Sequence, residues 1–203
     1  MIEIPVGGCR VCILPVINGL ESEADKVREA FGGFEAYGIS MGIEGIRAIR
    51  ERAGLEGDFE VSELDLVYAH KMQELTGEQV EMPSPAMCAL VDLCTEAGDD
   101  VLPLDMNDTA FTELYCDTVN AWDFVKEHRL AKKGMKRRFS SSTAREFALE
   151  WDDYINGVKG YREVSEKREA YIANRIRDIS NVRGSLLAVI EVERAQAVAD
   201  LLR

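Results

Sequence analysis

Two apolar runs near opposite ends of the chain restrict its fold more than anything else in the sequence. Val11 to Ile17 reads VCILPVI, and Leu186 to Val192 reads LLAVIEV. Both are rich in β-branched residues and too short for buried helices, and the first is bounded by Gly-Gly and Asn-Gly. Such runs are buried on both faces, as strands of a parallel sheet are. Each leads into a helical pattern. Glu21 to Ala30 has acidic residues in its first turn and ends at Gly32-Gly33, and the closing helix carries Ala195, Val198, Leu201 and Leu202 on one stripe. βα units at both ends predict that the first and last of these strands are neighbours in the middle of one sheet.

The elements between them follow the same logic. Tyr37 to Met41 is a short strand, followed by a helix with Ile43, Ile46 and Ile49 on its apolar face. Ser62-Glu63-Leu64-Asp65 has the form of a capping box, and Leu66, Ala69, His70, Met72 and Leu75 are assigned to the stripe of the helix it opens. Ser84-Pro85 begins another helix, with Ser as cap and Pro in the first turn. Val101 to Leu104 is a strand kept short by Pro103. From Asp108 the pattern is helical through Phe111, Leu114, Tyr115, Val119, Trp122, Phe124 and Val125 toward Leu130. Ser142 to Ile155 and Tyr161 to Ile179 are further helices, the latter charged with a narrow stripe of Tyr171, Ile172, Ile176 and Ile179. The expectation is one α/β domain over residues 1–203. It has a central, mainly parallel sheet of about four strands and a helical insertion over about 108–180.

Charge and cysteine content narrow the function. Across 203 residues the formal net charge is −13, which opposes nonspecific binding to nucleic acid or anionic lipid. No apolar run approaches about 20 residues, as a bilayer span requires, and the opening MIEIPVGGCR lacks the pattern of an export signal. The expectation is a cytoplasmic protein that binds neither nucleic acid nor membrane. Five cysteines are then simplest as thiols. Cys88, Cys94 and Cys116 read as small core residues. Cys9 and Cys12 form a C-x-x-C without a second ligand pair, read as buried or strand-edge cysteines against a redox or metal role. Lys132, Lys133, Lys136, Arg137 and Arg138 form the one basic stretch. It reads as a solvated connection between helices, or as an anion or acidic-partner patch beside a helix start at Ser140–Ser142.

The order of elements, with certain motifs, resembles the TraB/PrgY-like family, grouped with the erythromycin-esterase-like and ChaN-like proteins. That family's first strand ends in G-T-x-H-V-S, with a helix valine nine residues beyond the histidine. In ILPVINGLESEADKV, Asn18 takes the histidine position and Val27 the valine. A second family strand ends in E-L-D with an arginine three residues on. MGIEGIR has Gly42 for the Glu, Glu44 at the Asp and Arg47 at the arginine. Leu104-Asp105-Met106-Asn107 keeps the first Asp of the family's D-R-D. Lys167-Arg168-Glu169-Ala170-Tyr171-Ile172-Ala173 is similar to its E-R-D-x-Y-M-A helix. VIEVER, compared with V-V-G-A-G-H, puts Glu191 at the first glycine and Arg194 at the histidine. The resemblance implies an α/β fold whose family chemistry is lost, because an amide cannot titrate and a guanidinium cannot ligate a metal.

Ligands of open α/β sheets collect outside the carboxyl ends of the strands. The candidate ligand-binding residues are therefore Asn18, Glu44, Asp105, Arg168, Glu191 and Arg194. Asp105, Asp108, Glu191 and Glu193 could alternatively converge as an oxygen cage for a divalent ion such as Mg²⁺, or Asp108 and Glu193 could serve helix starts. Glu191 lies inside an apolar strand and requires a partner, for which Arg194 and Arg168 are the candidates. His70 reads as a half-buried structural histidine. His128 is placed near a helix C-terminus, and neither needs a catalytic role. No P-loop, G-x-G-x-x-G, G-x-S-x-G or H-E-x-x-H occurs. The functional expectation is a noncatalytic or regulatory TraB-like protein that binds a small ligand or a protein partner at the strand-end cleft. The alternatives are a metal-dependent hydrolase using the strand-end carboxylates, and a structural homo-oligomer. Within the first, the stripe on Tyr161–Ile179 is available to a second copy.

Overall fold

The computed structural model describes residues 1–54 and 62–203. Its elements are β1 (Ile2–Val6), β2 (Cys9–Val16), α1 (Ser22–Ala30), β3 (Ala36–Ile39), α2 (Ile43–Glu51), α3 (Glu63–Thr76), α4 (Pro85–Ala97) and β4 (Val101–Pro103). They continue with α5 (Asp108–Thr118), α6 (Ala121–Lys136), α7 (Ala144–Ile155), α8 (Lys159–Ser180), β5 (Ser185–Glu191) and α9 (Val192–Leu202). The sheet order is β1-β2-β5-β3-β4. β2 and β5 pair in parallel at its centre, with Val11 opposite Leu186 and Val16 opposite Glu191. The two apolar runs are thus adjacent, as expected.

The sheet has five strands where four were expected. β1 pairs antiparallel with β2 through Val6 opposite Cys9. Gly7 and Gly8, at φ 56° and 92°, supply the left-handed turn that a two-residue hairpin needs. Ile2, Ile4 and Val6 alternate as a half-covered strand should, and Pro5 is tolerated because β1 is an edge.

Alternation along the strands makes two cores. Cys12, Leu14, Val16, Tyr37, Ile39, Leu187 and Val189 face α1, α2 and α4. Val11, Ile13, Leu186, Ala188 and Ile190 face α8 and α9. Ile172, Ala173, Ile176 and Ile179 belong to this second core, so the α8 stripe packs inside its own chain and is not free for a second copy. A third cluster stands at the carboxyl ends of the central strands. There Ile17, Leu20 and Val192 meet Leu64, Val67 and Met72 of α3, Ala131 of α6, and Phe147, Ala148 and Trp151 of α7. The inserted helices therefore form a cap over the strand ends.

Several local expectations need correction. The long helix after Asp108 is two helices. Asn120 accepts N–H bonds from Trp122 and Asp123 and starts α6 afresh. The restart resets the helical phase, which leaves Trp122 75% exposed; no residue of α5 is buried either. The basic stretch is solvated as expected but only partly a connection: Arg137 and Arg138 lie between α6 and α7, whereas Lys132, Lys133 and Lys136 lie on the last turns of α6, where cations suit the helix dipole. On α3 the buried face is Leu64, Val67 and Met72, while Leu66, His70 and Leu75 are exposed. Ser62 and Asp65 do form the capping box. Pro85 occupies the first turn of α4, but the Ser84 hydroxyl makes no cap bond. Cys94 is buried and Cys88 half-buried, but Cys116 is exposed. Among the described residues no helix is long and apolar enough to cross a membrane.

Candidate functional site

The carboxyl ends of β2 and β5 open into a cavity of about 270 Å³. Asn18, just past β2, contributes one wall, and Glu193 and Arg194, in the first turn of α9, contribute another. The cap supplies the rest: Asp65 and Tyr68 from α3, Trp151 and Asp152 from α7, and Tyr161 and Ser165 from α8. Asn18 and Arg194 thus line one cavity, although they lie near opposite ends of the chain.

Hydrogen bonds hold the walls. Tyr68 donates from its phenol to the Asn18 carbonyl at 3.3 Å. Arg194 Nη1 donates to Ser165 Oγ at 2.7 Å, while Arg194 Nε is buried with no partner among the described residues. Asn156 Nδ2 donates to Asp152 Oδ2 at 2.8 Å. Asp65 is engaged at its own helix start with Ser62.

The electrostatics are unbalanced. Burial, then the neighbouring Glu191 carboxylate, pushes the Glu193 carboxyl up to about 7. Arg194 and a backbone hydrogen bond oppose that rise, and Asp152 adds to it. Burial also raises the Asp152 carboxyl, more than Arg194 lowers it. Glu169 is raised by burial too, with Arg194 opposing and Asp152 reinforcing. The Tyr68 phenol is pushed up by burial first, then by Glu193 and Glu23. This is what low-dielectric surroundings do to acids that outnumber their cations.

The other candidates lie outside the cavity lining and have structural partners. Arg168 donates to Asp105 from Nε at 2.8 Å and again from Nη2, joining α8 to the end of β4. Asp105 is 5% exposed, and its other oxygen accepts the Met106 N–H at 2.7 Å. Glu191 takes neither expected arginine: the Ser40 hydroxyl donates to its carboxylate and ties β3 to β5. Glu44 accepts the Asp108 backbone N–H at 3.3 Å. Asn107, not Asp108, caps α5, accepting from Ala110 N at 2.8 Å. Asp105, Asp108, Glu191 and Glu193 therefore do not form a cage. Among the described residues no group of three or more His, Cys, Asp or Glu is placed to hold a metal ion.

The remaining sequence candidates resolve simply. Cys9 packs with Val11 and Ile13 on one sheet face, and Cys12 with Leu14 on the other. Residues i and i+3 of a strand point to opposite faces, so the C-x-x-C works neither as a dithiol nor as a chelate. The N–H groups of Ser140 and Ser141 donate to Glu150 at 2.9 and 3.0 Å, and that of Ser142 to Glu146 at 2.9 Å. Thr143 is the N-cap of α7. The chain's own carboxylates therefore occupy the place expected for an anion. His70 is exposed, with Nε2 3.3 Å from Glu74. His128 is exposed in mid-α6, with Nδ1 2.9 Å from Glu63.

Sequence reasoning found Asn18, Glu193 and Arg194 because they follow strands. It missed Tyr68, Trp151, Asp152 and Ser165 as site residues. The signal for Asp152 was its place beside Trp151 on an apolar helical stripe.

Comparison of the chain with protein-family models, with curated proteins and with solved structures found no match in any of the three.

Proposed function

We propose that this protein binds a small molecule in the capped pocket above β2 and β5 and does not turn it over. The observation that carries this reading is the convergence of Asn18, Glu193 and Arg194 with Tyr68, Trp151 and Asp152 around one cavity of about 270 Å³. A concave site with aromatic walls and a few convergent polar groups is the usual form of a small-ligand pocket. Kinship with the TraB-like proteins belongs to the same proposal. On that alignment Asn18 and Arg194 stand where the family has histidines, and their presence in one pocket supports a binding role for a site without imidazoles. A regulatory role follows if occupancy alters how the α3–α7 cap sits on the sheet.

One observation favours a catalytic reading instead. Burial and the Glu191 carboxylate push the Glu193 carboxyl up to about 7, in the range that suits a general acid or base. It would then act by proton transfer, and the carboxylate metal cage has no support in the geometry.

The test is a thermal-shift screen of metabolites against the native chain and Asn156→Trp, which puts a bulky side chain into the cavity lining. A compound that raises the melting temperature of the native chain but not of the variant supports the reading. Equal shifts in both, or no shift across the screen, overturn it. Conversion of the bound compound to product would establish the catalytic alternative.

A further inference from the structure

The charges around the pocket point to what fills it. Asp65, Asp152 and Glu193 line it against the single guanidinium of Arg194. Asp65 is already engaged with Ser62, but Glu191 and Glu169 stand close behind, in the fields of Glu193 and Asp152 respectively. Arg168, the other nearby cation, is bound by Asp105. Among the described residues, Asp152, Glu169 and Glu193 on α7, α8 and α9 therefore share one guanidinium that no carboxylate pairs, Glu191 adds to their charge, and Ser165 holds that guanidinium through Nη1. Trp151 and Tyr68 line the same cavity, their ring centroids 6.3 Å apart. Carboxylates beside aromatic surface are the two elements that recognise an organic cation.

Building on the pocket reading, we propose that the ligand is a small organic amine, bound as its ammonium by Asp152 and Glu193 with its carbon stem against Trp151 and Tyr68. A cation there offsets the excess negative charge of Asp152 and Glu193, which an anionic or neutral ligand does not do. Binding requires the ionised acid. The groups facing Glu193 are Glu191 from the end of β5, Arg194 beside it on α9, Asp152 on α7, Tyr68 on α3 and Arg168 on α8. Glu193 is the one titrating near 7, so affinity rises with pH through neutrality.

Calorimetric titration of the full chain with 1,4-diaminobutane, lysine and succinate at constant ionic strength tests this. Diaminobutane and lysine are expected to bind and succinate not. Affinity for diaminobutane should rise about tenfold from pH 6 to pH 8, as ionisation of one acid with a pKa near 7 requires. Glu193→Gln and Asp152→Asn should each weaken it by about tenfold or more, and melting curves confirm that each variant is folded. Amine binding unchanged in both variants would mean attraction to the acidic surface only, and overturns the proposal. Succinate binding that depends on Arg194, without amine binding, overturns the cationic class while leaving the pocket reading intact. Silence from all three probes overturns the amine proposal. A hit elsewhere in the metabolite screen would then keep the pocket, and its absence would remove both.

Discussion

The Arg168 guanidinium donates from Nε and Nη2 to a single carboxylate oxygen of Asp105. With Asp105 almost fully enclosed and Arg168 lying over the Phe111 ring at 5.4 Å, this pair locks the inserted α8 to the end of β4. Removing one partner strands the other charge. Arg168→Met is therefore expected to destabilise the chain by about 3–5 kcal/mol, measured by urea denaturation. In the double variant Arg168→Met/Asp105→Asn much of that loss should return, because no ionised group is left alone.

Glu193 should make stability depend on pH in an unusual direction. Its carboxyl stands near 7 in the folded chain against an ordinary 4.5, so the folded state holds the proton more tightly than the unfolded one. The destabilisation is absent below about 4.5, grows as pH rises, and is complete above about 7. Asp152 and Glu169 shift in the same direction. Glu193→Gln is expected to stabilise the chain at pH 8 by on the order of 1–2 kcal/mol, after allowance for solvent screening, and to have little effect at pH 4.5. Melting curves at the two pH values check this.

Gly42 marks a close approach of two backbones. A Cβ there would lie 2.4 Å from the Met106 carbonyl oxygen. Its φ of −71° suits any residue, so the constraint is contact and not conformation. Gly42→Ala should cost about 2 kcal/mol or more. Gly45→Ala meets Met41 Cγ and Sδ at 2.4 and 2.5 Å, which a change of rotamer can relieve as a backbone carbonyl cannot, and should cost less than Gly42→Ala. Chemical denaturation of the two variants separates them.

The thiols should react in the order of their exposure. Cys116 is exposed, whereas Cys9, Cys12 and Cys94 are buried. Burial also pushes the Cys94 thiol up to about 12 and raises that of Cys12, so neither supplies much thiolate at pH 8. Titration of the native chain with an aromatic disulfide reagent is expected to show Cys116 reacting fast and Cys88 slowly. The other three should react only after unfolding. Mild oxidation should leave Cys9 and Cys12 unlinked.

The sequence by itself determined the α/β class, the parallel pairing of the first and last apolar runs, and the strand-end positions of Asn18, Glu193 and Arg194. These follow from β-branched runs of strand length, glycines that stop helices, and apolar strands of βα units at both ends of the chain, which belong at the centre of one sheet. The edge strand β1 was missed, because its alternation of Ile2, Ile4 and Val6 before Gly7-Gly8 is short and no long apolar run announced it. Only the tertiary structure decided what the pocket is. Tyr68, Trp151, Asp152 and Ser165 lie on three helices whose spacing in sequence carries no trace of their meeting. The partners of Glu191 and Arg168 were equally invisible. A buried charge must find a counterpart, but which one it finds depends on how the helical cap settles on the sheet. Within the insertion, the restart at Asn120 turned an apolar residue such as Trp122 to the surface, because helical periodicity predicts a face only as far as the helix runs unbroken.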